Sequence, residues 1–321
     1  MSIYRVEGGV HKKINTLYDV QNAVNKKIQK GYYVLGGVHK KIYELSTGPV
    51  VTYSGTYSLS DVTVDSVDYT LLTCTKSGTL TTTVPLQYWM CGGGGKGGAS
   101  GLKESSVQTS VGTVYDDFAG GGAAGGYVSE GTIIAGSHVI TVGAASGVSK
   151  INDLTAKQGS AGADGAGGKG GSGGGAARKR YWESLTSQKY SAIAGTGNGV
   201  STYPFGLSSL GAHCAAGGGG AYGYYIATNS YSGGNGGANG GSGGSISSSK
   251  NTGGSGGTKG GGKGGSLPSN APQAGSAATF YGSGGGGASF YASGNSGASG
   301  GSGYQGVVYF LIPKDAQFIA A

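Results

Sequence analysis

The sequence predicts a mainly β and irregular protein with little or no α-helix: short β-hairpin repeats, a small β region, then a bundle of polyglycine II helices framed by β-strands. Three observations predict it. The N-terminal residues repeat with a period of 14, glycine supplies 74 of 321 residues and falls into triplets, and β-branched segments stand before, within and after the glycine. Glycine at that density leaves too few side chains for a leucine- and isoleucine-rich core along the whole chain. Glycine- and serine-rich stretches ordinarily behave as flexible linkers. A chain that closes on Gly-Val-Val-Tyr-Phe-Leu-Ile at 306–312 does not end as a linker does.

The first element, residues 1–47, holds the repeats. Tyr4 to Leu17, Tyr18 to Gly31 and Tyr32 to Leu45 align, with GGVHKKI twice in full. A small repeated unit buries its apolar side only against copies of itself or other chains. Two structures fit. Fourteen is two heptads, which would make Val10, Ile14, Val24, Ile28, Val38 and Ile42 part of a coiled-coil seam. Glycines inside that helix would each cost about 1 kcal/mol relative to alanine. The preferred alternative is a pair of short strands turning at the glycine pair. On either reading those six residues are the candidate oligomerisation positions, in an attachment or trimerisation segment.

Gly48-Pro49 opens the second element, 48–90, a Thr-, Val- and Tyr-rich stretch read as several short strands, among them 62–64, 69–75 and 80–84. The third, 91–303, is glycine-dominated. Within it, 126–143 reads as a hairpin around Gly136-Ser137. The fourth, 304–321, is a closing strand and tail.

The glycine itself carries a structural signal. GGKGGSGGG at 167–175, GGNGGANGGSGG at 233–244 and GGSGGTKGGGKGG at 253–265 approach a period of three. That is the period of the polyproline II helix, which makes no internal hydrogen bonds, so its amides and carbonyls must find partners on neighbours. Glycine lets neighbouring helices approach closely enough to supply them. Each bond contributes only about 0.5–1.5 kcal/mol net, so many must form together. Collagen is excluded, because its triplets are proline-rich and this chain has 6 prolines.

Gln87-Tyr-Trp-Met-Cys-GGGGKGG, GGYVSEGTIIAGSHVITVGA and GGSGYQGVVYFLIP, in that order, resemble the glycine-rich domain at the ends of bacteriophage tail fibres and related adhesins. The resemblance spans about 70–313. In that family an entry strand runs into a glycine tract, a hairpin follows and a final strand closes the unit. The 14-residue repeats are similar to those in structural proteins of phages of Gram-positive bacteria. The resemblance implies a tail fibre or tip protein carried in the virion, a homo-oligomer, expected as a trimer, that assembles with other phage tail proteins and binds a bacterial surface glycan or protein. A structural fibre component with no receptor contact is the competing expectation.

Binding residues are expected in the segments between glycine helices, where recognition concentrates on a rigid scaffold. The candidates are Arg178, Lys179, Arg180, Tyr181 and Trp182, with Tyr203, Tyr222, Tyr224 and Tyr225. Tyrosine and tryptophan offer rigid amphipathic area and arginine grips phosphate or carboxylate. The plain alternative for any one tyrosine is a cap on the end of the glycine bundle. The net charge of +8 favours acidic partners such as surface glycopolymers.

No enzyme is expected. The repeated G-x-G-x-x-G follows from composition alone, and no Gly-Lys at Lys96, Lys169 or Lys263 precedes Ser or Thr. Asp116 and Asp117, adjacent in a strand, would point to opposite faces and not at one glycosidic bond. His11, His39, His138 and His213 read as surface or structural residues. Cys74, Cys91 and Cys214 are odd in number and lack C-x-x-C spacing, so they read as reduced apolar residues, and no cofactor or metal is expected. Nucleic acid is not an expected partner, since the arginines are only Arg5, Arg178 and Arg180. The opening Met-Ser-Ile-Tyr-Arg-Val shows no secretory signal, so synthesis in the host cytoplasm and release by lysis are expected, without membrane insertion.

Overall fold

The computed structural model describes residues 3–7, 10–14, 18–21, 24–27, 30–35, 38–44 and 48–320, the last range without 110–111, 178, 185–186, 192, 194, 196–202, 224–230, 233–241, 243–244, 248–249, 258–259, 268–270 and 292–296. It divides into two units, 1–50 and 51–321. Strands dominate both. Among the described residues the helical elements are two 3-10 turns, Pro204–Gly206 and Ser208–Leu210.

In the first unit each 14-residue repeat is one antiparallel hairpin: β1 (Ile3–Glu7) with β2 (Val10–Ile14), β3 (Tyr18–Gln21) with β4 (Val24–Lys27), and β5 (Lys30–Leu35) with β6 (Val38–Glu44). The register repeats with the sequence, since Tyr4, Tyr18 and Tyr32 face Lys13, Lys27 and Lys41. Strands on both sides of Gly8-Gly9, Asn22-Ala23 and Gly36-Gly37 decide between the two readings in favour of hairpins. Of the candidate oligomerisation positions, Val10 and Ile14 lie in β2, Val24 in β4, Val38 and Ile42 in β6. Ile28 lies outside the described residues. A two-stranded hairpin alone is marginal in water.

The second unit joins a β-sandwich to a glycine bundle. One sheet runs in the order β17-β16-β15-β10-β7-β26, built from β7 (Val50–Tyr53), β10 (Gly78–Thr82), β15 (Gly136–Thr141), β16 (Ser149–Ile151), β17 (Leu154–Ala156) and β26 (Gln317–Ala320). The other runs β14-β11-β25-β9-β8, from β8 (Tyr57–Val64), β9 (Val67–Cys74), β11 (Leu86–Cys91), β14 (Val128–Ile133) and β25 (Val307–Pro313). The segments that read separately along the chain thus close one sandwich. Its inner core draws on both sheets, with Val51, Tyr53, Leu80, Ile140 and Ile151 from one and Leu72, Met90, Val308, Phe310 and Ile312 from the other.

Strand β25 is buried on both faces, as suits its uninterrupted apolar run. Val308, Phe310 and Ile312 face the inner core, while Val307, Tyr309 and Leu311 join Trp89, Cys91 and Cys214 in a second cluster on the outer face. Phe205, Leu210 and Tyr281 cover that cluster.

The hairpin expected at 126–143 is corrected. β14 pairs with β11 in one sheet, whereas β15 pairs with β10 and β16 in the other. The two strands turn a corner between layers. Ile133 and Ile140 both enter the inner core, and Ile134-Ala135 between the strands lacks the Gly or Asn that two-residue hairpin turns favour.

The described glycine segments show threefold order; of the triplet runs predicted for it, 167–175 reverses direction between Gly171 and Ser172 instead of forming one helix, and 233–244, apart from Ser242, lies outside the described residues. Residues 119–127 lie at the centre, and their amides donate in rotation. Gly120, Ala123 and Gly126 donate to the carbonyls of Ala288, Gly285 and Gly282. Gly121, Ala124 and Tyr127 donate to Ala163, Ser160 and Lys157, and Gly122 and Gly125 to Gly175 and Ser172. Their carbonyls accept in the same rotation from Gly98, Gly95 and Gly92, from Gly168 and Gly171, and from Gly220 and Gly217. A partner that changes at each residue and returns at the third belongs to a polyglycine II helix, here with six neighbours at N···O distances of 2.7–3.1 Å. Residues 283–290 form a second such centre, donating to 215–221, 95–98 and 273–276 and accepting from 120–126, 262–265 and 301–304.

Absence of side chains is what permits this packing. A Cβ on Gly121 would lie 1.8 Å from the carbonyl oxygen of Ala166, and one on Gly122 would lie 1.9 Å from that of Gly217. Positive φ marks turns between the segments, as at Gly165 (73°) and Gly282 (69°).

The directions of the segments define two ends. Residues 92–98 leave the sandwich from β11, and 284–290 run parallel to them, as do 215–221. Residues 119–127 run back into β14, antiparallel to 157–163 and 172–175. The chain therefore leaves the bundle at the end opposite the sandwich after residues 98, 177, 222 and 290. We call that end the tip.

Candidate binding tip

Two hairpins stand at the tip: β12 (Gly101–Thr109) with β13 (Gly112–Phe118), and β18 (Lys179–Ser184) with β19 (Ser187–Ser191). They merge into one four-stranded sheet, β12-β13-β18-β19. The seam between them is short, pairing Asp117 with Arg180 and Phe118 with Lys179. Beside it β20 (Tyr222–Gly223) pairs in parallel with β24 (Phe290–Tyr291). β21 (Tyr231–Ser232), β22 (Ser245–Ser247) and β23 (Lys250–Thr252) form a further small sheet.

Side chains bind the seam. Arg180 donates from Nε to Asp117 Oδ1 at 3.0 Å and from Nη2 to Asp117 Oδ2, a two-pronged ion pair. The Tyr222 hydroxyl donates to the same Oδ1 at 2.5 Å. The Asp117 side chain is 1% exposed and that of Arg180 16%. Asp116 accepts the backbone N–H of Trp182 at 3.2 Å and lies 3.9 Å from Lys179 Nζ. The two acids therefore split between partners, as neighbours in a strand must. Below them Ala119, Ala177, Tyr222 and Phe290 form a small apolar plug over the bundle end.

The expected binding residues separate into groups. Lys179, Arg180, Tyr181 and Trp182 do come to the tip, but the charges of Lys179 and Arg180 are turned onto Asp116 and Asp117. Tyr222 is 1% exposed and caps the bundle, the plain alternative for a tyrosine, so it leaves the candidate surface. Tyr203 belongs to the opposite end, since it immediately precedes the Pro204–Gly206 turn whose Phe205 packs under the sandwich. Arg178, Tyr224 and Tyr225 lie outside the described residues. Among the described residues of the tip, the exposed large apolar side chains include Tyr115, at 49%, and Leu102 in the first hairpin, and Ile193, at 63%, just past β19. The role of Asp116 and Asp117 as anchors was not read from the sequence. Its one trace there is that the acidic pair and Arg178-Lys179-Arg180 are compact runs of opposite sign.

The sandwich end has a different chemistry. His213 is buried among Trp89, Phe280, Tyr281 and Tyr309. Its Nδ1 donates to the Gly211 carbonyl at 3.1 Å, so Nε2 accepts from the Tyr309 hydroxyl at 2.8 Å. Burial lowers its pKa to about 4, outweighing the Gly211 bond, so the ring is neutral. Cys74, Cys91 and Cys214 are free and buried, and burial pushes the Cys74 thiol up to about 12. A groove of about 300 Å³ beside this end is lined by Asp65, Gln87, Tyr88, Glu130 and Phe205. Among the described residues no group of three or more His, Cys, Asp or Glu is placed to hold a metal ion, and no helix is long and apolar enough to cross a membrane.

No family model, curated protein or solved structure matches the chain.

Proposed function

We propose that the chain is a bacteriophage tail fibre or tip protein, a non-enzymatic adhesin that meets a bacterial surface glycan or protein through the tip of its glycine bundle. On this reading the 14-residue repeats assemble it, as a trimer, onto other tail proteins in the virion. The observation that carries the reading is the direction of the chain. Helices locked by backbone bonds with six neighbours bring the hairpins 101–118 and 178–191 together at the end away from the sandwich, while other connections, among them the turn holding Phe205, lie against the sandwich. A scaffold held by main-chain bonds leaves the sequence of those connections free to vary, which suits recognition.

Adsorption of the purified chain to a panel of bacterial cells tests it. Replacing residues 181–189 by a short Gly-Ser loop keeps Arg180 on Asp117 and is expected to abolish adsorption. Undiminished adsorption, or none by the unaltered chain to any cell, refutes the reading. The competing structural-fibre reading has one observation in its favour, the inward turn of Arg180 and Tyr222.

A further inference from the structure

The charge of the tip points to a narrower ligand class. By sequence the hairpins and their lead-in, 101–118 and 178–191, carry five cations, Lys103, Arg178, Lys179, Arg180 and Lys189, against four acids, Glu104, Asp116, Asp117 and Glu183. Five minus four is +1, a small share of the chain's +8. Residues 1–47 hold eight cations and three acids, or +5. Most of the chain's net positive charge is therefore carried by residues other than those of the tip hairpins.

Two of these five cations, Lys179 and Arg180, are compensated in place. Arg180 spends its fork on Asp117, and Lys179 lies against Asp116. An arginine already bidentate on a buried carboxylate has no fork left for a phosphate. The aromatics are placed differently. Register puts Leu102, Asp117 and Arg180 in one cross-strand row, and Glu104 and Tyr115 in the next row on the same face. Trp182 follows Arg180 by two residues and so belongs to that face too. Tyr115 is half-exposed, Trp182 half-buried and Glu104 exposed. Stackable rings beside a carboxylate that accepts hydroxyl protons, on a face with little net charge, suit an uncharged sugar and offer an anionic polymer little.

We propose that this face of the tip sheet, with Tyr115 and Trp182 as stacking surfaces and Glu104 as hydroxyl acceptor, binds an uncharged saccharide. The proposal rests on the adhesin reading and narrows it.

The test presents the full chain with neutral oligosaccharides of glucose, galactose and N-acetylglucosamine, and separately with a polyglycerol-phosphate polymer. Neutral oligosaccharide is expected to bind with an affinity that changes less than about twofold between 50 and 500 mM salt, since no charge is released. Tyr115→Ala and Trp182→Ala are each expected to weaken binding about tenfold, with Tyr115→Phe close to the unaltered chain. Unchanged thermal unfolding of the two alanine variants separates a lost contact from a lost fold. Retention of the polyglycerol phosphate alone, a steep fall with salt, or no retained oligosaccharide overturns the proposal. If cells are still adsorbed in those cases, the adhesin reading survives its narrower form; absence of all adsorption defeats both.

Discussion

Replacing Gly121 by alanine tests the bundle at its centre. The added Cβ would stand 1.8 Å from the carbonyl oxygen and 2.3 Å from the carbonyl carbon of Ala166. Backbone cannot rotate aside as a side chain can, so residues 166–168 must retreat by more than about 1 Å to reach contact distance. Three main-chain bonds lie in their path: Gly168 N–H to Gly122 (2.9 Å), Gly167 N–H to Ile193 (2.8 Å) and Ala163 N–H to the Ala166 carbonyl (2.9 Å). A buried group left without its partner costs about 1–3 kcal/mol. Partial loss of three bonds puts the destabilisation at about 3–5 kcal/mol. For a unit of this size that is a fall in Tm of about 6–20 °C. Gly101→Ala is the control, since its Cβ would meet only the Phe118 ring edge at 3.9 Å, and a change within about 0.5 kcal/mol is expected. Urea and thermal unfolding of both variants decide the matter. Equal stability of the two would refute the six-neighbour packing.

Asp117→Ala removes the carboxylate that holds Arg180 and Tyr222, leaving a largely buried guanidinium without its bidentate acid. A loss of about 3–5 kcal/mol is expected, with protease cutting appearing first in the tip hairpins; resistance equal to the unaltered chain would show that the ion pair does not hold the seam. His213 gives a pH dependence. Its folded pKa, about 4, lies below the ordinary 6.5, so the unfolded chain takes up a proton first as the pH falls. Its contribution is complete above pH 6.5, declines through the window from 6.5 to about 4, and amounts to about 3 kcal/mol across it. Thermal unfolding of His213→Gln should lack that slope, and an unchanged slope would assign it to other groups.

Much of the fold is legible from local pattern. The 14-residue period, with Gly-Gly in two repeats and Asn22-Ala23 in the other between Val-containing runs, sets out three hairpins, because strand alternation and turn chemistry act within a few residues. The triplet glycine announces a threefold screw, and the apolar run 307–312 announces a closing strand. The corner at Ile134-Ala135 was not legible, since which sheet a strand joins depends on partners 37 to 62 residues away: β14 on Leu86–Cys91, β15 on Gly78–Thr82.

The site was legible in composition and not in placement. Sequence alone determined that the backbone itself would be the binding element of the bundle, because a chain with so little side chain has only its amides and carbonyls to join it. It also marked 178–182 as a cationic and aromatic run. Only the tertiary structure decided that Arg180 closes onto Asp117, 63 residues earlier, and that Tyr222 turns inward while Tyr115 faces solvent. The physical reason is that a charge is spent or free according to what folding brings within about 3 Å of it, and hydrogen bonds of that reach carry no mark in the local sequence.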